Sequence, residues 1–301
     1  MKRTKASLPI GIALGGGGAK GLAHIGILRV LEENGIVCNL VSGTSIGALI
    51  GGLYCLNGNI NEVEKLALEF ENYDLHRYLA PKLSTTGLIS EKRVRDFLKT
   101  VFREQKIENL KRPFFCTATD ILSGEEVVFS SGSLVEAVMS SISIPVVFPA
   151  NHFNGRYLVD GGLVDPVPVK VLKQNGATPT IAVNVLSPSR MMKTGTKTLR
   201  RRKRNPLLIE RIDSFIVRRG DSRKKGDAPN IIEELLFTFE IMQQEMVRSK
   251  LKNDAPDILI EVETSDFRIY GFNHPREIIE RGDEKMRKRI ESVKRQLGLR
   301  N

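Results

Sequence analysis

The sequence lacks much of what several large protein classes require. It has only three cysteines, Cys38, Cys55 and Cys116. The number is odd, none forms a Cys-x-x-Cys pair, and all three lie in apolar surroundings. A disulfide framework is therefore disfavoured, and buried thiols in a reducing compartment are expected. Histidine is scarce: His24, His76, His152 and His274. Neither they nor the acids show metal-ligand spacing, so no metal site is expected. No stretch approaches the ~20 apolar residues of a membrane-spanning helix. Met1 to Lys5 is basic, but the apolar run after it is broken by Pro9 and ends in four glycines, so no signal peptide is expected. There is no internal repeat. These absences point to a cytoplasmic protein, at most peripheral at the inner face of a membrane.

What is present suits one large domain or two small ones: 301 residues, 41% of them hydrophobic. The net charge of +11 is concentrated in one segment. Between Lys193 and Lys225 stand 13 Lys and Arg against 3 Asp and Glu, a net +10, including Arg200-Arg201-Arg202-Lys203-Arg204. A charge run of this kind is either a solvated loop or a surface for an anionic partner. An anionic membrane is the favoured partner and nucleic acid the disfavoured one. The periodicity is lost from Ser187 to Pro229. The chain therefore divides into a core over 8–190, a basic, mobile insertion over 191–229 and a helix-strand-helix segment over 230–301 that packs on the core.

Ile10 to Leu14 reads as a strand, Gly15-Gly16-Gly17-Gly18 as a loop and Ala19 to Asn34 as a helix stopped by Gly35. The next strand is placed at Val37 to Val41. Such a βαβ unit implies a parallel sheet and an α/β fold. Ser42 to Gly47 is small and polar, and Ile46 to Leu56 is apolar on nearly every side, the pattern of a helix buried all round. Gly43-Thr44-Ser45-Ile46-Gly47 between strand and helix is the nucleophile-elbow pattern. The turn is so tight that Gly43 and Gly47, two residues either side of Ser45, must be small. Ser45 then heads a helix whose positive end favours charge developing near its hydroxyl, with the Ile46 N–H aimed at the reaction centre.

The glycine loop admits more than one reading. Gly16-x-Gly18-x-x-Gly21 fits the dinucleotide fingerprint, but the acid expected at the end of the next strand is replaced by Val41 and Ser42. The Walker pattern fails at Ala19-Lys20-Gly21. Beside a serine elbow, the N–H groups of Gly16, Gly17 and Gly18 are better placed as an oxyanion hole. A glycine turn that merely packs closely is the structural alternative.

Further on, strands are read at Phe114 to Ala118, Glu126 to Phe129, Thr180 to Leu186 and Ile258 to Val262, with helices at Ser90 to Val101, Leu134 to Met139 and His274 to Leu297. Asn154-Gly155 is a hairpin signal. The strand leaving it, Arg156 to Val159, delivers Asp160-Gly161-Gly162. Asn230 to Asn253 reads as an amphipathic helix with Ile232, Leu235, Phe239, Met242 and Met246 as a core-facing stripe. A serine nucleophile needs a base, and no histidine sits in a persuasive motif. Asp160 is the best remaining base if burial raises its pKa toward neutrality.

Taken together, Gly15-Gly16-Gly17-Gly18-Ala19-Lys20-Gly21, Gly43-Thr44-Ser45-Ile46-Gly47 and Asp160-Gly161-Gly162 resemble the patatin-like phospholipase family in its bacterial form. Supporting stretches are similar too: Thr119-Asp120 with Ser123-Gly124-Glu125, Ile144-Pro145 with Phe148-Pro149, and Asp165-Pro166-Val167-Pro168. The resemblance covers Ile10 to Val185. It implies a three-layer α/β/α fold with a mainly parallel central sheet, and a serine acyl hydrolase of phospholipid or lysophospholipid esters that uses no cofactor. It carries over Ser45 as nucleophile, Asp160 as base and Gly16, Gly17 and Gly18 as oxyanion-hole donors. The basic segment is longer than a minimal member would have. Two other classes stay open: a non-catalytic lipid- or protein-binding regulator of the same fold, and a nucleotide-binding protein using Gly16 to Gly21.

Overall fold

The computed structural model describes residues 9–69, 91–186, 231–269 and 271–299. Its strands are β1 (Gly11–Leu14), β2 (Leu40–Thr44), β3 (Phe114–Asp120), β4 (Glu126–Phe129), β5 (Asn151–Phe153), β6 (Arg156–Asp160), β7 (Thr180–Asn184) and β8 (Ile258–Glu261). Its helices are α1 (Ala23–Glu33), α2 (Ile46–Asn57), α3 (Ile60–Glu69), α4 (Glu91–Phe102), α5 (Leu134–Ser141), α6 (Val169–Gln174), α7 (Ile231–Asn253) and α8 (Pro275–Gln296). The expected basic insertion and His76 lie outside the described residues.

All eight strands join one sheet. A parallel block runs β3-β2-β1-β7-β8. The β4 strand and the β5-β6 hairpin add antiparallel pairs at the β3 side. Alternation along each strand separates two cores, because successive side chains leave opposite faces of a pleated strand. Ile12, Leu14, Val41, Phe114, Cys116, Ile181, Val183, Ile258 and Ile260 enter one core, together with α1 to α5 and α8. Ala13, Leu40, Phe115 and Ala182 enter the other, with Val169 and Leu172 of α6 and Val247 of α7. Helices thus cover both faces, and the fold is the three-layer α/β/α arrangement that the motifs imply. The three cysteines are free and buried, and burial pushes the thiols of Cys38 and Cys116 up to about 12.

Two expectations about elements need correction. The second strand does not run from Val37 to Val41: Val37 is exposed and pairing begins at Leu40, opposite Gly11. The strand continues through Ser42, Gly43 and Thr44 because its hydroxyls find partners, Ser42 Oγ donating to Pro168 O and Thr44 Oγ1 to Asp165 O. The Phe and Met stripe of α7 is not core. The buried register is Glu233, Leu236, Glu240, Gln243 and Val247, while Leu235 and Met242 face solvent.

Candidate active site

Ser45 Oγ donates a hydrogen bond to Asp160 Oδ2. Sheet register explains how residues 115 positions apart meet. Cys116 and Thr117 bond both β2 and β4, and Ala118 and Thr119 bond both β4 and β6. A strand has two edges, so β2 and β6 lie on the same edge of β3. There β2 runs parallel to β3 and stops with Thr44 opposite Thr117, while β6 runs antiparallel and stops with Asp160 opposite Ala118. The two strand ends face each other, and the residues that leave them converge.

Ser45 is held in an unusual conformation, φ 56° and ψ −124°, before α2. Such backbone strain in a non-glycine residue persists only where the surroundings enforce it. They do so here. A Cβ on Gly43 would lie 2.4 Å from Gly47 O, and one on Gly47 would lie 2.1 Å from Leu14 O. The Ser45 N–H donates to Ser141 Oγ at 2.7 Å, and Ser141 Oγ donates to Thr117 O at 2.6 Å. Ser141 is thus a support that sequence reasoning missed: the helix expected over Leu134 to Met139 runs on to Ser141. Its signal was weak, one of two adjacent serines at a helix end.

Asp160 is fully buried. Its Oδ1 accepts from Gly162 N at 2.7 Å, and its own N–H donates to Ser143 O at 2.9 Å. Burial pushes the carboxyl up to about 7, against the opposing hydrogen bonds from Ser45 and Gly162. A carboxyl in that range can exchange a proton near neutrality. His24 is buried, with Nε2 bonded to Gly15 O at 2.7 Å, and burial lowers it to about 4. His152 stacks on Tyr157 and His274 pairs with Glu277. These three histidines therefore make their contacts elsewhere than at Ser45.

The glycine loop departs from expectation at one position. The Gly16 N–H donates to Pro166 O at 2.9 Å, so it is already engaged and is not an open donor. The N–H groups of Gly17 and Gly18 make no backbone hydrogen bond among the described residues. Both residues adopt positive φ, 148° and 55°, and both line the cavity with Ser45, Ile144, Asp160, Phe239, Gln243 and Ile269. That crowding also weakens the dinucleotide reading, because a Cβ on Gly18 would meet Ile269 O at 2.0 Å, leaving little room for a phosphate. Lys20, buried just beyond the loop, pairs with Glu240 of α7. Among the described residues, no group of three or more His, Cys, Asp or Glu could hold a metal.

The arrangement is an α/β protein with a serine at a strained elbow, a buried carboxylate on its hydroxyl and a glycine loop alongside. The family model for patatin-like phospholipase matches residues 12–173, and the chain belongs to that family. An uncharacterized NTE family protein of Mycobacterium tuberculosis (strain ATCC 25618 / H37Rv) is 35% identical over 183 residues, covering 61% of this chain and 51% of the relative. The lysophospholipase NTE1 of Mycosarcoma maydis is 36% identical over 188 residues, covering 62% of this chain and 10% of the relative. The matched stretch thus spans about half the length of the mycobacterial relative. The crystal structure of VipD from Legionella pneumophila is similar with a TM-score of 0.54 at 14% identity, over 95% of this chain and 67% of that chain, a likeness of fold.

Proposed function

We propose that the chain is a serine acyl hydrolase of lipid esters, phospholipid or lysophospholipid. The observation that carries this reading is the hydrogen bond from Ser45 Oγ to the buried Asp160 carboxyl at the head of α2. Ser45 Oγ attacks the ester carbonyl carbon as its proton passes to Asp160. The oxyanion develops beside the N–H groups of Gly17 and Gly18, which make no backbone hydrogen bond among the described residues, and losing one such donor typically costs about 2.7–4 kcal/mol of barrier. The tetrahedral intermediate collapses, the C–O bond breaks and the leaving alkoxide takes the proton from Asp160. Water then attacks the acyl-serine, giving its proton to Asp160, and the fatty acid leaves as Ser45 is reprotonated. Family membership and the lysophospholipase among the relatives support the substrate class.

The basic stretch from Lys193 to Lys225 supports peripheral association with anionic membrane, where each basic residue near the surface contributes roughly 1 kcal/mol. Among the described residues, no helix is long and apolar enough to cross a membrane. A fluorophosphonate probe tests the chemistry. Wild type should be labelled on Ser45, and Ser45→Ala should neither label nor release fatty acid. Asp160→Asn should fold and lose most turnover, while Gln variants of His24, His76, His152 and His274 that fold should keep most of theirs. Unchanged labelling of Ser45→Ala would end this reading in favour of a non-catalytic binding role.

A further inference from the structure

The cavity at Ser45 has a volume of roughly 10 Å³, about the space one water needs. No ester fits there as the structure stands. Phe239 and Gln243 of α7 form part of its wall, and Gln243 packs so closely on Gly162 that a Cβ there would lie 1.8 Å from Nε2. Substrate access therefore requires a lining segment to move; besides Ile144, the segments that wall the cavity opposite Ser45 and Asp160 are α7 and the Ile269 stretch.

Of the two, α7 has the composition for it. A helix that packs on a core buries its apolar stripe and shows water its polar face. On α7 the order is largely reversed. Among its described side chains, three of the five buried positions are Glu233, Glu240 and Gln243, whereas Leu235, Phe237, Ile241 and Met242 are exposed. At 3.6 residues per turn, Leu235, Phe239, Met242 and Met246 fall along one edge. Phe239 on that edge lines the cavity, so the apolar edge is continuous from the wall beside Ser45 to the surface. The other half of α7 is anchored, with Val247 and Leu251 in the second core. In the first half Leu236 is buried, and the buried Lys20–Glu240 pair ties that half to the glycine loop.

We propose that the apolar edge of α7 docks on an anionic lipid surface, and that docking lifts the Glu233–Gln243 half of the helix from Ser45 so that acyl chains enter along Leu235, Phe239 and Met242. The inference rests on the reading of Ser45 as nucleophile. A lipid surface is favoured over a second copy of the chain by the chemistry on both sides of the edge. The edge leads directly to the cavity, and the sequence just before α7 carries the net +10 between Lys193 and Lys225. Lys250 and Lys252 add positive charge at the other end of the helix, where Arg248 is paired with Glu245. Lifting exposes Glu233, Glu240 and Gln243, which water solvates, but also exposes Leu236 and parts Glu240 from Lys20; the apolar edge leaves water for lipid in return.

The chain has no tryptophan, so Met242→Trp gives a fluorescence probe without background, and Lys288→Trp on the exposed side of α8 serves as control. With vesicles of ether-linked phosphatidylglycerol, which offer no ester bond, the indole emission of the Met242→Trp variant should move to the blue and that of the control should not. Neutral ether-linked phosphatidylcholine vesicles should have little effect. The same anionic vesicles should speed fluorophosphonate labelling of Ser45 about tenfold, the size of shift that a modest preference for the lifted state produces. In Leu235→Ser/Met242→Ser, whose changes are at exposed positions, the ratio of labelling rates with and without anionic vesicles should fall to about one. Absence of a blue shift, or insertion without faster labelling, overturns the proposal. A blue shift that tracks protein concentration without vesicles also overturns it, in favour of a second copy. Absence of labelling at Ser45 under every condition would instead strike the nucleophile reading and leave the docking to be judged on the emission of the Met242→Trp variant alone.

Discussion

The two long helices α7 and α8 are nearly equal in length, 23 and 22 residues, and are used in opposite ways. α8 lies against α1 with Ile278, Ile279, Met286 and Val293 buried. The two backbones nearly touch: a Cβ on Gly26 would sit 2.1 Å from Ile279 O, and one on Gly282 would sit 2.0 Å from Ala23 O. Arg29 and Arg287 both bond the Asp283 carboxyl, and Arg287 also reaches Glu33. α7, by contrast, sets a polar face over the 3₁₀ turn at Gly161–Leu163 and leaves apolar side chains in solvent. The two helices show that an amphipathic pattern identifies a core face only when the helix lies on a core. A helix set over a site can carry the reverse arrangement, and its sequence alone does not say so.

The sharpest way to break this comparison is to substitute one residue in each helix. Gly282→Val drives a side chain into the Ala23 backbone and should cost about 3 kcal/mol or more, since neither helix can give way without losing its core. Met242→Ser on the exposed edge of α7 should stay within roughly 0.5 kcal/mol of wild type. Denaturant unfolding of both variants measures this, and similar losses would erase the distinction. Next in size is hydrogen exchange. Amides of α8 around Ile279 to Val293 should open only with global unfolding. Those in the first half of α7 should exchange about 10²-fold faster or more, through local opening. Equal protection would mean that α7 is as firmly seated as α8.

The comparison also marks how far the sequence could be read. The α/β class and parallel sheet were legible because the Gly15–Gly18 loop, the Gly35 stop and the Gly43–Gly47 elbow have local geometric causes that one residue type satisfies. Asp160 was legible because the Asn154-Gly155 turn fixes the hairpin that delivers it. What was not legible depends on contacts between distant segments. The engagement of the Gly16 N–H by Pro166 O, the bracing of Ser45 by Ser141 and the Lys20–Glu240 pair arise only once the sheet is assembled. The stripe on α7 was seen but assigned to the wrong surroundings. Its spacing is helical, and spacing does not distinguish core from the rim of a cavity.

Charge sharpens the contrast further, and with opposite signs. On the α8 side, burial acts to raise the Asp283 carboxyl, but hydrogen bonds from Arg287 and Arg29 outweigh it and hold the carboxyl below its ordinary value. That contribution is present at neutral pH and is lost as pH falls through the lowered value. On the α7 side, Asp160 sits at about 7. The same titration should govern chemistry, because only the ionised carboxyl accepts the Ser45 proton. On a soluble ester, kcat/KM should rise roughly tenfold per pH unit below about 7 and level off above it. A flat profile from pH 5 to 8, with Ser45 still labelled, would show that Asp160 is not the titrating base.

The smallest effect expected is at Asp165, beneath the end of α7. It is 2% exposed, and among the described residues its Oδ1 has no hydrogen-bond partner. Burial pushes its carboxyl up to about 7; Glu126 and Asp254 act in the same direction, and Lys250 of α7 opposes them. An unfolded chain releases this proton near pH 4, while the folded chain keeps it until about 7. Folding therefore takes up a proton between those values, and stability falls as pH rises through the window, then levels. Asp165→Asn removes that titration and leaves the one at Asp160 in place, so the difference between wild type and variant isolates Asp165. Denaturant unfolding should bring the two closest near pH 3, where the carboxyl is neutral in both the folded and the unfolded chain, and should favour the variant increasingly up to about pH 7, by at most roughly 1.4 kcal/mol per pH unit. A difference that stays constant with pH would mean that Asp165 does not titrate in this window, and a variant that weakens relative to wild type as pH rises would mean that the ionised carboxylate is a stabilising group there.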